Sequence, residues 1–199
     1  MFVQVIRGES ADSDALRRQF QTWSQELRPG AAGFMTATEG VTDDGRFVGL
    51  VCFESAEAAR ANSERPEQGE WWQETARALR GEPVFVDCDE ADTLLAGPSA
   101  EAGFVQVMQG GPADRSRLNE LDASFEAVAR EHRPDVIGGL RAWHPDGRFT
   151  QAVYFTREAE ARTGESQQPP PDVEPVMAEQ REAWGDVEWL DLRDPWVLV

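Results

Sequence analysis

Phe2-Val3-Gln4-Val5 returns as Phe104-Val105-Gln106-Val107, and Asp44-Gly45-Arg46-Phe47 returns as Asp146-Gly147-Arg148-Phe149. Both pairs are separated by 102 positions, so the copies hold register across half of the 199-residue chain. Solenoid units run about 20 to 50 residues, whereas a repeat near 100 residues has the size of a complete small domain. The chain therefore reads as a tandem duplication, with a first repeat at 1–90, a linker at 91–102 and a second repeat at 103–199.

The first copy opens with an apolar run at 2–7, rich in Val and Ile, which predicts a strand. Ser10 and Asp12 offer N-caps to an amphipathic helix carrying Leu16, Phe20, Trp23 and Leu27 on one stripe, and Arg28-Pro29-Gly30 stops it. Residues 33–41 and 46–53 predict two strands joined by the turn Asp43-Asp44-Gly45. Ser55 starts a short helix, and Pro66 and Gly69 interrupt it. Helical turns then resume as far as Leu79, Gly81 closes them, and Val84-Phe85-Val86 is a fourth strand. The second copy repeats the plan. A strand at 103–109 precedes a helix from Asp114 to His132, with Leu118, Leu121, Phe125 and Val128 on its stripe. A strand at 148–155, a helix reaching Trp184 and a strand starting at Val187 follow. The order is βαββαβ twice. Right-handed crossovers then give each copy an antiparallel four-stranded sheet with both helices on one face. The bare faces need cover, which two sheets can supply for each other. The apolar tail Pro195-Trp196-Val197-Leu198-Val199 is expected to pack on the fold.

The net charge is −18, and all 19 basic residues are Arg. Such a surface repels phosphate backbones, so nucleic acid is not an expected partner. Anionic membrane surfaces are disfavoured for the same reason. Without Lys, neither a Schiff base nor a P-loop lysine is available. Cys52 and Cys88 stand in strand segments with no CxxC or Cys/His cluster, so they read as buried thiols and no metal site is expected. Their counterparts in the second copy are Tyr154 and Leu192 or a neighbour. No signal peptide or long apolar run occurs, which leaves the cytoplasm as the expected location.

Phe53-Glu54-Ser55-Ala56-Glu57-Ala58-Ala59-Arg60-Ala61-Asn62, then Pro66, then Trp71-Trp72, resembles the third-strand-to-second-helix segment of antibiotic biosynthesis monooxygenase (ABM-like) domains. Those domains belong to the dimeric α+β barrel superfamily. The resemblance implies an α+β fold in which two ferredoxin-like repeats are fused into a pseudo-dimer, each repeat with a pocket between sheet and helices. It further implies a cofactor-independent monooxygenase or related enzyme acting on a small hydrophobic aromatic molecule. The haem-degrading relatives resemble a pattern with Asn on the first strand and Trp plus His near the second helix. Here Gln4 and Gln106 occupy the first strands, and neither His132 nor His144 lies near a second helix, so no haem or other cofactor is expected.

Six residues are candidates for the substrate site. Gln4 and Gln106 recur on apolar strands, where an amide faces either a ligand or a structural hydrogen-bond partner. Trp71 and Trp72 are helix neighbours pointing about 100° apart, so one should pack in the core while the other lines a cleft. They have no duplicate, which directs attention to the first repeat. Trp143 and His144 precede the second hairpin turn, and a histidine at a hairpin edge is expected to be exposed. Arg46 and Arg148, after the Asp-Gly turns, are expected to pair with Asp. The sequence identifies no catalytic residue. A non-catalytic small-molecule binder and a structural protein of the same fold stay open beside the enzyme. The expected assembly is a monomeric pseudo-dimer or a weak homodimer.

Overall fold

The computed structural model describes residues 1–171 and 173–199. They divide into two compact units: unit 1 comprises Met1–Ala91 with Asp194–Val199, and unit 2 comprises Asp92–Arg193. In chain order the elements are β1 (Phe2–Ser10), α1 (Ser13–Thr22), a π-helical turn (Trp23–Leu27), β2 (Phe34–Val41), β3 (Arg46–Phe53), α2 (Ala56–Ser63), α3 (Pro66–Ala76) and β4 (Leu79–Cys88). Then come β5 (Glu90–Leu95), β6 (Phe104–Gly110), α4 (Arg115–His132), β7 (Val136–Trp143), β8 (Phe149–Phe155), α5 (Glu158–Ser166), α6 (Glu174–Trp184), β9 (Val187–Leu192) and β10 (Trp196–Leu198). Each unit is thus α+β, a βαββαβ repeat whose second helix is split in two.

The duplication is visible in the register. Unit 1 orders its strands β10-β2-β3-β1-β4, and unit 2 orders them β5-β7-β8-β6-β9. Val3 lies between Cys52 and Cys88, and Val105 lies between Tyr154 and Leu192, so the predicted counterparts occupy equivalent places. The helix starts repeat as well. Asp12 accepts from the Ala15 N–H at 2.9 Å, and Asp114 accepts from the Arg117 N–H at 3.0 Å. Each N-cap satisfies one of the orphan donors of a helix N-terminus. Gly45 (φ 88°) and Gly147 (φ 83°) take the left-handed conformation that closes the two hairpins. The following Arg46 and Arg148 pair with Asp44 and Asp146, as expected.

Several local expectations are corrected, whereas the expected packing of the tail on the fold is met. Residues 90–95 form β5 beside β7, in the stretch read as linker. The tail forms β10 and pairs Trp196 with Glu39 on β2. Each sheet therefore has five strands, and the edges of the equivalent strands β2 and β7 are paired rather than open to a further strand. Pro66 does not interrupt a helix but begins α3, because its fixed φ and missing N–H suit the first helical turn. Gly69 lies inside α3, and Gly81 (φ 68°) lies inside β4 rather than closing a helix.

In unit 1, Ile6, Leu16, Phe20, Ala37, Phe47, Leu79 and Trp196 pack between sheet and helices. In unit 2, Met108, Leu118, Leu121, Trp143, Phe149 and Ala183 play the same part. Cys52 and Cys88 are buried and not joined in a disulfide. Burial pushes the Cys52 thiol up to about 12, the behaviour of an inert apolar thiol. Among the described residues no helix is long and apolar enough to cross a membrane, and no group of acidic, His or Cys side chains is arranged to hold a metal.

Candidate functional site

A cavity of about 260 Å³ lies within unit 1, between the sheet and its helices. Strand alternation decides which side chains reach it. Gln4 and Ile6 come from β1, Ala37 and Glu39 from β2, Val51 and Phe53 from β3, and Phe85 from β4. Trp23 enters from the π-helical turn, Ala59 and Asn62 from α2, and Gln68, Gly69, Trp71 and Trp72 from α3. The volume lies just under the usual small-ligand range of about 300–1,000 Å³, and the lining mixes aromatic and aliphatic side chains with polar ones.

The aromatic wall is held from behind. Trp23 and Trp71 have ring centroids 6.4 Å apart, Trp71 and Trp72 5.9 Å, and Trp72 and Phe85 5.1 Å, all tilted or edge-on. The Trp71 indole N–H donates to the Gln19 carbonyl at 2.9 Å, and the Trp23 N–H donates to Gln68 Oε1 at 2.8 Å. The N–H groups of Trp71 and Trp23 are thus engaged by the protein, and the rings border the cavity. Trp71 and Trp72 both line it, although a single inward ring was expected. Neighbours about 100° apart on a helix can flank one cavity when both rings are large.

Gln4 lines the cavity, and its Nε2 donates to Asp87 Oδ1 at 2.8 Å on the paired strand β4. Gln106 makes the same bond to Asp191 Oδ1 at 3.1 Å, so this amide–carboxylate pair belongs to the fold. Asn62 is buried and accepts from Arg65 Nη1 at 2.9 Å.

Glu39 is the one ionisable side chain among the residues lining this cavity. Gly49, directly opposite on β3, makes room for it, since a Cβ at Gly49 would stand 3.1 Å from Glu39 Cγ. Burial pushes the Glu39 carboxyl up to about 7, and no ion pair or hydrogen bond opposes the rise. Among 37 Asp and Glu, a single acid does not stand out by composition. A signal was nevertheless present: Glu39 alternates with Ala37 and Val41 on an inward-facing row, where an acid is anomalous.

Unit 2 fills the equivalent place. At the offset of 102, Arg141 stands for Glu39, Gln151 for Gly49 and Asp122 for Phe20. Arg141 and Gln151 are register partners, as Glu39 and Gly49 are. Arg141 is fully buried, with Nε donating to Gln151 Oε1 at 2.7 Å and its two terminal nitrogens donating to Asp122 at 2.8 and 2.9 Å. A long side chain with two bound partners thus occupies the volume that a carboxylate and a glycine leave free in unit 1.

The remaining candidates of unit 2 belong to its packing. Trp143 is buried in the core, donates its indole N–H to Asp92, and has the guanidinium of Arg115 over its ring at 5.2 Å. His144, expected to be exposed, is buried, with Nε2 and Thr150 Oγ1 at 2.9 Å. The hairpin folds it back across β8. A second cavity, of about 310 Å³, lies between α4 and the segment leading to α6, bordered by Phe125, Val128, His132, Arg133 and Met177. Gln106, Trp143 and His144 border neither cavity.

No family model and no curated protein matches the chain. Solved structures do. A candidate monooxygenase from Lactobacillus acidophilus NCFM is similar over 100% of this chain and 99% of its own, with a TM-score of 0.72 at 10% identity. A second, from Fusobacterium nucleatum subsp. nucleatum, is similar over 96% of this chain and 90% of its own, at 0.71 and 6%. An anthrone oxidase-like protein is similar over 99% and 92%, at 0.59 and 11%. At such identities the likeness is one of fold: two ferredoxin-like repeats in one chain, as the ABM-like resemblance implies.

Proposed function

We propose that unit 1 is a cofactor-independent monooxygenase-like site for a small hydrophobic aromatic molecule. The observation that carries this is the roughly 260 Å³ cavity walled by Trp23, Trp71, Trp72, Phe53 and Phe85, with the amides of Gln4 and Asn62 and one carboxyl at its border. A planar aromatic fits between tilted rings, and stacking replaces water at both of its faces. Oxygen chemistry without a cofactor asks the substrate for the electrons, so the protein supplies orientation, a dry environment and a base. For an anthrone-type substrate, loss of a ring proton gives an electron-rich anion that reacts with O2. One oxygen atom stays on the ring carbon as a quinone carbonyl, and the other leaves as water.

The test is a titration of anthrone against intrinsic Trp fluorescence, followed by oxygen uptake. The Gly69→Leu variant is the control, because a Cβ at Gly69 meets nothing within 4 Å and a larger side chain there narrows the cavity border. Saturable quenching with oxygen uptake, both lost in Gly69→Leu, supports the proposal. Quenching without oxygen uptake favours a binding or carrier protein. No quenching overturns both.

A further inference from the structure

We propose that Glu39 is the general base of the unit 1 cavity, accepting the proton of a neutral phenol or its keto tautomer bound against the Trp23–Trp71–Trp72 wall. The inference rests on the small-aromatic reading above and deepens it by naming a base and a substrate charge state.

The placement of Glu39 is the first ground. Its row on β2 faces the helices, and the structure leaves its carboxyl beside open volume rather than beside a cation. The cavity-facing residues of β1, β3, β4, α2, α3 and the π-helical turn are all uncharged. Trp196, its register partner on β10, is uncharged too. Arg17, on α1, is engaged by Asp194. No histidine or cysteine borders the cavity, so no other side chain there accepts a proton near neutral pH.

The sister unit is the second ground. Where unit 2 carries a charge at this register position, the charge is an arginine bound by Asp122 and Gln151. The fold therefore has a way to satisfy an ionised group here, and unit 1 does not use it. An acid without a partner on a buried apolar face costs stability, as functional groups often do. Its raised pKa, near 7, suits a base working close to neutrality.

The charge balance sets the substrate. Glu39 is anionic before transfer and neutral after it, while the substrate passes from neutral to anionic, so the cavity carries one negative charge throughout. The phenolic O–H, or the acidic C–H of the keto form, breaks, and its proton forms the new O–H of the Glu39 carboxyl. A substrate that is already anionic would add a second charge to a cavity without a cation, so neutral polycyclic phenols and anthrones are the favoured class.

Proton removal can be read apart from oxygen chemistry. Anthrone is incubated anaerobically in D2O with the full chain, and exchange at its acidic ring carbon is followed by NMR, with binding measured by Trp quenching. The wild type should accelerate exchange. Glu39→Gln should bind anthrone within about threefold of wild type and lose on the order of 10²–10⁴ of the acceleration. Glu39→Asp should keep part of it. The wild-type exchange rate should rise with pH through the neutral range and then level off, a limb absent from Glu39→Gln. Equal acceleration by wild type and Glu39→Gln, or wild-type binding without acceleration, overturns the inference and leaves the binding reading intact. Absence of anthrone binding overturns the small-aromatic reading, and this inference falls with it.

Discussion

At the scale of single residues, two positions related by the repeat have opposite fates. Among the described residues Glu39 has no partner, while Arg141 has two. For Glu39 the folded pKa, near 7, lies above the ordinary carboxyl value of 4.5. Below about pH 4.5 both folded and unfolded chains hold the proton. Between about 4.5 and 7 the unfolded chain releases it first, so stability falls as pH rises, and above about 7 the loss is complete. The full shift corresponds to at most about 3 kcal/mol, an upper value because the carboxyl keeps some exposure to solvent. Urea midpoints of wild type and Glu39→Gln should therefore diverge from pH 5 to pH 8, with the variant the more stable at the higher pH. Parallel midpoints would show that Glu39 is not desolvated. For Arg141 the expectation is the reverse. Arg141→Ala leaves Asp122 and Gln151 without their donor and should cost about 3–5 kcal/mol. The double variant Asp122→Leu/Arg141→Met should recover most of that loss, and denaturant titrations of the three proteins check it. Gln4, Trp71 and Trp72 were legible in the sequence because apolar strands and a helix pair of Trp mark an inward face. Glu39 was hidden by the acidic composition of the chain. His144 was misplaced because a hairpin dipeptide does not reveal which way the turn folds its neighbours.

At the scale of elements, most strands were legible, since alternation and Asp-Gly turns are local signals, although β1 runs on to Ser10 and β4 begins at Leu79 rather than Val84. The fifth strands were not. Glu90–Leu95 is an acidic stretch read as linker, and Trp196–Leu198 follows Pro195, so only pairing with β7 and β2 makes strands of them. Tertiary context overrode local propensity in both cases. The tail has a measurable role. Deleting residues 194–199 removes Trp196 from the core beside Phe20, and it uncovers the edge of β2. The truncated chain should lose about 3–5 kcal/mol in denaturant titration and should self-associate on size-exclusion chromatography through the bare edge. A monomeric elution profile with unchanged stability would show that β10 is dispensable. Within α3, Gly69 costs helix stability relative to most residues, so Gly69→Leu should be more stable by a few tenths to about 1 kcal/mol. A gain in stability accompanied by loss of binding would mark Gly69 as a position kept small for the cavity.

At the scale of the whole molecule, the two copies of the fold differ at one place: unit 1 has a sheet-side cavity beside Glu39, and unit 2 sets the bound Arg141 at the equivalent position. The duplication was legible from a single offset of 102 residues. The asymmetry was not, because it depends on which inward positions carry Gly49 and Gln151, Glu39 and Arg141, Phe20 and Asp122, and those exchanges acquire meaning only when register aligns them. We predict that unit 1 alone holds an aromatic-binding cavity at this place in the fold. Isothermal titration of anthrone into the full chain and into Gly69→Leu tests it most directly. We predict one site per wild-type chain and none in a folded Gly69→Leu. Two equivalent sites per chain, or undiminished binding by Gly69→Leu, would contradict it.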